Sequence, residues 1–375
     1  MSISKKPVIG GIIFSNMHEG YIGELTALRS CGSVPFGGRY RMIDFPLSNM
    51  VDAKITTVGV ITKSNYKSLM DHLGTGRDWD LSRKRGGIVL LPPFAAAGSG
   101  MYHGRMEALI NARDFIMRSG CDRFVMFDCN YICSVDIQKL ADEHENSGAD
   151  ITCVYKKEHL SGGRLTDCIA FDVAQSGRIT GVRIDPNTEG NYNNSINVMY
   201  VSRDFLLKLI DGAQGRGICH FEREVLQPRI KELKVYGFEL RSPVMRVGSM
   251  QEYYAANMWL LNREVRNELF YGHPVYTKVR DEMPARYGLN ADVSDSMIAD
   301  GCVIEGCVSN SVLFRGVTVG AGAKVSNCIL MQGCCVQDGA QIEGVVCDKD
   351  TVITQGRVLV GCATNPLFVP KGGRV

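Results

Sequence analysis

GVTVGAGAKV (316–325) decides the C-terminal fold: Val319 and Val325 stand six residues apart among Gly, Thr, Ala and Lys. The same interval carries Val325 to Met331, Val336 to Ile342 and Ile298 to Ile304, with Gly, Asn, Ser and Asp filling the steps. A helix repeats its apolar face about every 3.6 residues and a strand about every second residue. Apolar residues that recur only at every sixth position, with Gly and polar residues between, are too sparse for either face. The pattern fits a coil whose turns cannot bury their own apolar face and gain a core only by stacking. The prediction for 286–375 is therefore a left-handed parallel β-helix of hexapeptide repeats. Some coils of this kind carry acyltransferase sites with a histidine as general base. The last of the seven histidines here is His273, upstream of the repeats. The coil thus reads as a structural, oligomer-forming module.

Upstream of the coil the texture is different. Apolar, β-branched runs at 7–14, 55–62, 123–128, 149–155 and 234–240 alternate with helical patterns. Among the latter, 106–119 places Leu109, Ile110, Phe115 and Ile116 at helical spacing, and 135–145 forms another. Strands separated by helices imply βαβ units, an α/β domain with a mainly parallel sheet covered on both faces. Phosphate-bearing ligands bind such sheets at the carboxyl ends of the strands, where strand order reverses. The stretch 250–270 reads as one long helix with Tyr253, Met258, Leu261 and Val265 on its apolar side. Two domains are expected: 1–285, including this linker helix, and 286–375.

Bulk properties exclude several classes. With 375 residues the chain exceeds one core. A formal net charge of +2 argues against nucleic acid or an anionic membrane as general partners. The run 8–14 after Lys5 and Lys6 is too short to be a membrane span or a secretory signal. The fourteen cysteines show no CxxC spacing, so buried, reduced thiols and a cytoplasmic location are expected.

The segment SVPFGGRYRMIDFPLSN (33–49) is the most informative stretch of the first domain. Pro35 and the Gly37-Gly38 pair allow close backbone approach, while Arg39 and Arg41 supply planar donors suited to phosphate. A plain turn carrying two exposed arginines remains the alternative. This string resembles one in bacterial glucose-1-phosphate adenylyltransferases (ADP-glucose pyrophosphorylases). The resemblance continues through HLGTGRDWDLSRKRGGIVLLPP (72–93), YHGRMEAL (102–109), VGSMQEYYAANMWLL (247–261) and the coil. It implies a Rossmann-like, GT-A-like nucleotidyltransferase domain before a left-handed β-helix, in tetramers that make ADP-glucose and pyrophosphate from ATP and glucose 1-phosphate. The family's chemistry needs a glycine-rich triphosphate loop, phosphate-binding lysines and two aspartates holding Mg²⁺.

Each requirement is altered in this sequence. The stretch 15–26, SNMHEGYIGELT, replaces a GGxGxRL-like loop, with Asn16, Met17 and Glu19 near the glycine positions and Tyr21 near the arginine. The RAKP motif becomes Arg29-Ser30-Cys31-Gly32, which puts Cys31 at the lysine. In the GDHxYxxD motif, counted back from Asp136, Asn130 takes the metal aspartate's place, and Asp128 lies two residues earlier. FxEKP becomes Val182 to Pro186, with Asp185 at the sugar-phosphate lysine. Arg246 precedes Val247-Gly248-Ser249 where the second metal aspartate stands. Losing one metal carboxylate alone removes several kcal/mol of transition-state stabilisation, on the order of what a bound metal supplies.

The pattern resembles the family's non-catalytic, D-type regulatory subunits. It implies a chain with no catalytic residue, metal or cofactor of its own, and Mg²⁺ held by a catalytic partner in a mixed tetramer. Arg39, Arg41, Gly37 and Gly38 are the expected effector or phosphate site, taking a phosphosugar. Arg29, Gly104 and Glu107 are expected to line a vestigial substrate pocket. Glu107 and Asn111 read equally as polar residues of a helix surface. Two other readings stay open: a self-sufficient nucleotidyltransferase rebuilt around Asp128 and Asp136, and a stand-alone phosphosugar sensor.

Overall fold

The computed structural model describes residues 6–17, 22–93 and 101–375. The chain separates into two compact units, one built from residues up to 17 and 45–244, the other from 18–44 and 245–375.

The first unit is organised by a nine-stranded sheet. Ile9–Phe14 lies between Thr57–Ile61 and Arg123–Asp128, parallel to both, and Gly87–Leu91 extends the sheet beyond Thr57–Ile61. Strand order therefore reverses beside Ile9–Phe14, whose last residue, Phe14, is aligned with Asp128. The near-continuous apolar runs IGGIIF and RFVMFD suit strands buried on both faces. The sheet is mixed, because Gly190–Ser202 runs antiparallel to Arg123–Asp128, Ile151–Leu160 and Ile169–Val173. Helices Arg105–Asn111, Arg113–Arg118 and Arg203–Gln214 cover the sheet with Leu109, Ile116, Leu206 and Ile210, packed with Ile12, Phe124, Met126 and Met199. The helix expected over 106–119 is interrupted at Ala112, which ends one segment and begins the next.

In the second unit, three five-stranded parallel sheets run through 286–369 and form the expected hexapeptide β-helix. Successive coils stack in register: Val308 opposes Val325, and Val325 opposes Ile342. Val319, Val325, Met331, Val336 and Ile342 are all buried, as their six-residue spacing demands. Asp295, Asn310 and Asn327 take left-handed backbone at the corner directly after the stacked strands Asp292–Ser294, Cys307–Ser309 and Lys324–Ser326. Asn310 Nδ2 donates to Asn327 Oδ1 at 2.6 Å, linking neighbouring coils.

The expected helix 250–270 is two helices, Met250–Trp259 and Arg263–Phe270. Asn262 starts the second by accepting a hydrogen bond from Glu264 N at 2.8 Å, a capping preference stronger than the apolar periodicity that runs through it. All fourteen cysteines are free, with Cys307 and Cys362 exposed. Among the described residues no helix is long and apolar enough to cross a membrane.

Candidate functional site

Chemistry-bearing residues gather in each unit separately. In the second unit the centre is a short antiparallel hairpin, Pro35–Phe36 paired with Tyr40–Arg41. Its turn needs two left-handed residues, and Gly37 and Gly38 supply them at φ 58° and 80°. A Cβ on Gly37 would also lie 2.9 Å from Leu260 Cδ1. The helix Met250–Trp259 holds the hairpin from below. Asn257 Oδ1 accepts from Gly37 N at 2.9 Å, and the Tyr253 hydroxyl donates to Pro35 O at 2.7 Å.

This scaffold presents Arg39 to solvent and leaves Arg41 half-buried, with Tyr40 stacked on Phe270. The coil contributes two further cations from one corner: Arg315 just after strand Val312–Leu313, and Lys349 just after Val345–Cys347 of the same sheet. Burial, then the nearby Arg39 and Arg280, pulls the Arg315 guanidinium below its ordinary range. Its Nε is buried with no hydrogen-bond partner. Burial, then Arg41 and Arg29, pulls the Lys349 amine down to about 7. Cations in such surroundings gain from an anion, which relieves both desolvation and mutual repulsion.

Arg29 does not join this set as a free donor. Its Nη2 lies 2.8 Å from Asp348 Oδ2, and both side chains are about 4% exposed. Cys31, at the lysine position, is buried beside it in sequence and offers no charge. Arg246 is engaged as well, its Nε and Nη2 reaching Glu252 at 3.1 and 2.9 Å.

In the first unit, the strand ends at the reversal point are closed by their own side chains. Ser15 Oγ donates to Ile61 O at 2.8 Å, Asn16 Nδ2 donates to Ser64 O at 3.2 Å, and Asn16 Oδ1 accepts from Lys63 N at 3.1 Å. Backbone donors that could face a phosphate are thus partly spent. Met17 is half-buried; Glu19 and Tyr21 lie outside the described residues.

Asp128, at the end of its strand, is fully buried, and its Oδ2 accepts from Arg105 Nη2 at 2.8 Å. Asn130 is buried, with Oδ1 lacking a partner. Asp136 is spent on capping helix Ile137–Ser147, accepting from Lys139 N at 2.9 Å. Asp185 sits in an exposed turn at φ 50°, facing Arg223 at 3.4 Å. Gly104 and Glu107 do come together, against the segment around Cys219. A Cβ on Gly104 would lie 2.3 Å from Cys219 O, and Glu107 accepts from His103 N at 2.5 Å and from the Cys219 thiol at 3.2 Å. Burial raises the Glu107 carboxyl, but these donors hold it below the usual range. Asn111 is half-buried on the same helix.

These residues do not fit Mg²⁺. A hard divalent cation takes several oxygen ligands, carboxylates foremost. Asn130 offers a neutral amide, Arg246 a cation, and Asp128 a carboxylate already neutralised by Arg105. Among the described residues no group of three or more His, Cys, Asp or Glu is placed to hold a metal. Four participants were not singled out from sequence: Arg105, Glu222 (whose Oε1 lies 2.8 Å from Arg105 Nε), Arg315 and Lys349. Arg105 lies inside YHGRMEAL, and Arg315 and Lys349 share a corner two coils apart.

Comparison with known proteins identifies the family of the two sequence regions. Residues 23–163 match the nucleotidyl transferase family, and 282–365 match the GlmU-like, C-terminal hexapeptide family. The chain is 35% identical to the glycogen biosynthesis protein GlgD of Bacillus subtilis (strain 168), covering 96% of this chain and 95% of that protein. It is 35% identical to the GlgD of Geobacillus stearothermophilus, over 84% of this chain and 82% of the relative. It is 30% identical to the glucose-1-phosphate adenylyltransferase of Halalkalibacterium halodurans, over 86% and 84% respectively.

Proposed function

The chain belongs to the glucose-1-phosphate adenylyltransferase family that includes the GlgD proteins, and from that premise we propose that it is a regulatory, catalytically silent subunit of glycogen biosynthesis. In this reading it works in the cytoplasm, joins a catalytic adenylyltransferase subunit in a mixed oligomer and tunes that partner's synthesis of ADP-glucose. The partner alone holds Mg²⁺. The observation that carries the reading is the engagement of Asp128 by Arg105 at 2.8 Å, with a neutral Asn130 two residues on. Catalysis of phosphoryl transfer is chiefly positioning and charge stabilisation by bound cations, and this unit directs its strand-end carboxylate to its own arginine.

The remaining chemistry suits effector response. Arg39 and Arg41, raised on the Gly37-Gly38 turn, together with Arg315 and Lys349, form an anion-attracting surface matched to a phosphosugar. The self-sufficient nucleotidyltransferase reading is disfavoured because Asp136 is a helix cap and Asp128 is neutralised.

The test mixes the purified chain with a catalytic homologue from the same source. The chain alone, with ATP, glucose 1-phosphate and Mg²⁺, should release no pyrophosphate. Mixed, the two should co-elute as one oligomer, with altered kcat or effector response. Turnover by the chain alone would overturn the silent reading. Absence of both co-elution and kinetic change would leave a stand-alone sensor.

A further inference from the structure

Lys349 stands at a coil corner where three segments of the second unit meet. It follows strand Val345–Cys347, and the residue between, Asp348, is fixed on both sides. Asp348 Oδ2 lies 2.8 Å from Arg29 Nη2, and Asp348 Oδ1 accepts from Lys349 N at 2.7 Å. The carboxylate thus ties Arg29 to the backbone of Lys349. Gly372 N donates to Lys349 O at 2.9 Å, which lays the segment carrying Lys371 against the same corner. Lys349 itself is half-buried, so its side chain is held at the corner yet open to a small reagent.

Two features suit this corner to an anion formed in place. Arg29 is 3% exposed, and its Nη1 has no hydrogen-bond partner among the described residues. A buried charged donor left unmade is costly, and an acceptor beside it relieves that cost. The second feature is the company of the Lys349 amine. Burial acts on it first, then Arg41 and Arg29, with Lys371 behind; Asp348, the acid among them, is already bound to Arg29. A large share of the amine is therefore unprotonated at neutral pH, with its lone pair available. Reagents for such an amine differ in the charge of what they leave. An aldehyde leaves an imine that regains the positive charge on protonation. Carbon dioxide leaves an anion, which turns repulsion from Arg41 and Arg29 into attraction.

We propose that Lys349 is a carbamylation site, its side-chain nitrogen adding carbon dioxide to give a carbamate held by Arg29 and Arg41. The amine lone pair attacks the carbon of CO₂ and forms the N–C bond. One C=O bonding pair moves onto oxygen, and a proton leaves the nitrogen for water. The product reverses a charge within the anion-attracting surface, so carbon dioxide weakens phosphosugar binding there. That consequence alone rests on the effector reading; the adduct does not.

The experiment equilibrates the full-length chain with ¹³C-labelled bicarbonate and carbon dioxide at pH of about 7.5. Triethyloxonium then traps carbamates as ethyl esters, and peptide mass spectrometry locates them. Lys349 should carry the adduct at about ten times the level of exposed Lys324, or more, because its amine is the less protonated. Unfolding in guanidinium should erase that preference. Lys349→Arg should lose the carbamate resonance in the ¹³C spectrum of the native protein, and Arg41→Met should lower occupancy several-fold. An adduct at Lys349 no greater than at Lys324 would overturn the proposal, as would a preference that survives unfolding or an occupancy unmoved by Arg41→Met. Sulfate affinity measured with and without carbon dioxide separates the two readings. An adduct that leaves it unchanged sustains the carbamate and removes Lys349 from the phosphosugar surface.

Discussion

Arg246 and Glu252 form a closed pair: the guanidinium reaches Glu252 Oε1 from Nη2 at 2.9 Å, and Glu252 Oε2 also accepts from Gly248 N at 2.8 Å. The carboxylate thereby holds the turn that leads into helix Met250–Trp259 and neutralises the cation before it. Restoring a carboxylate by Arg246→Asp should not restore catalysis. It removes the partner of a largely buried Glu252 and adds repulsion, costing about 3 kcal/mol. Urea unfolding should show the loss, and the variant should release no pyrophosphate from ATP and glucose 1-phosphate. A variant as stable as the parent would contradict this role.

The buried pair of Arg29 and Asp348 joins two stretches of the second unit that are distant in sequence. Removing only one partner leaves a lone buried charge, a loss of about 3–5 kcal/mol. Arg29→Met alone should be more destabilising than Arg29→Met combined with Asp348→Asn. Denaturant midpoints of the two variants decide the matter, and equal losses would mean the pair is not coupled.

The basic hairpin should bind anions more tightly as acidity rises. Lys349, held down at about 7 by burial and by Arg41 and Arg29, gains its proton as pH falls through that value. Sulfate does not titrate in this range, so it isolates the protein's contribution. Isothermal titration from pH 8.5 to 6 should show affinity rising several-fold, and Lys349→Met should flatten the profile. The folded chain also holds fewer protons than the unfolded one between about 7 and 10.5, so stability should fall as pH is lowered across that window. A sulfate affinity independent of pH would remove Lys349 from the site.

The two ends of the chain differed in legibility for physical reasons. The coil could be read because inward positions recur with a fixed period, and Val319, Val325 and Ile342 are buried where that period puts them. Gly190–Ser202 could not, since its first half, GNYNNS, looks like a loop. Its asparagines are satisfied by partners far along the chain: Asn194 Nδ2 donates to Glu158 Oε1 at 2.6 Å, and Asn193 Nδ2 donates to Phe171 O at 2.9 Å. The candidate sites were half legible. Gly37, Gly38, Arg39 and Arg41 are contiguous and stand out, whereas Arg315 and Lys349 join them only through coil stacking. Arg105 and Glu222 are opposite charges with no pattern linking them until the fold places them together.

His144 sets the acid limit of the first unit. Its Nδ1 lies 2.8 Å from Thr152 Oγ1, Tyr200 packs edge-on against its ring, and Glu145 and Arg123 act on it with opposite signs. Burial, the largest effect, lowers its pKa to about 4 from an ordinary 6.5. The unfolded chain therefore binds more protons between those values, and stability should decline as pH falls from 6.5 to 4, by on the order of 2 kcal/mol. Urea unfolding at pH 7 and 5 should show the decline, and His144→Asn should lessen it. An unchanged pH dependence in that variant would assign acid sensitivity elsewhere.

The cysteines give the coil a convenient handle. Burial pushes the thiols of Cys133, Cys153, Cys328 and Cys334 up to about 12, so they carry almost no nucleophilic thiolate at neutral pH. Cys362 is exposed, and hydrogen bonds from Thr364 and Asn365 hold its thiol below the usual value. A maleimide dye added to the native protein should therefore mark Cys362 first, with Cys307 following. Fluorescence could then track encounters of the last coil with other chains without engineering a single attachment point.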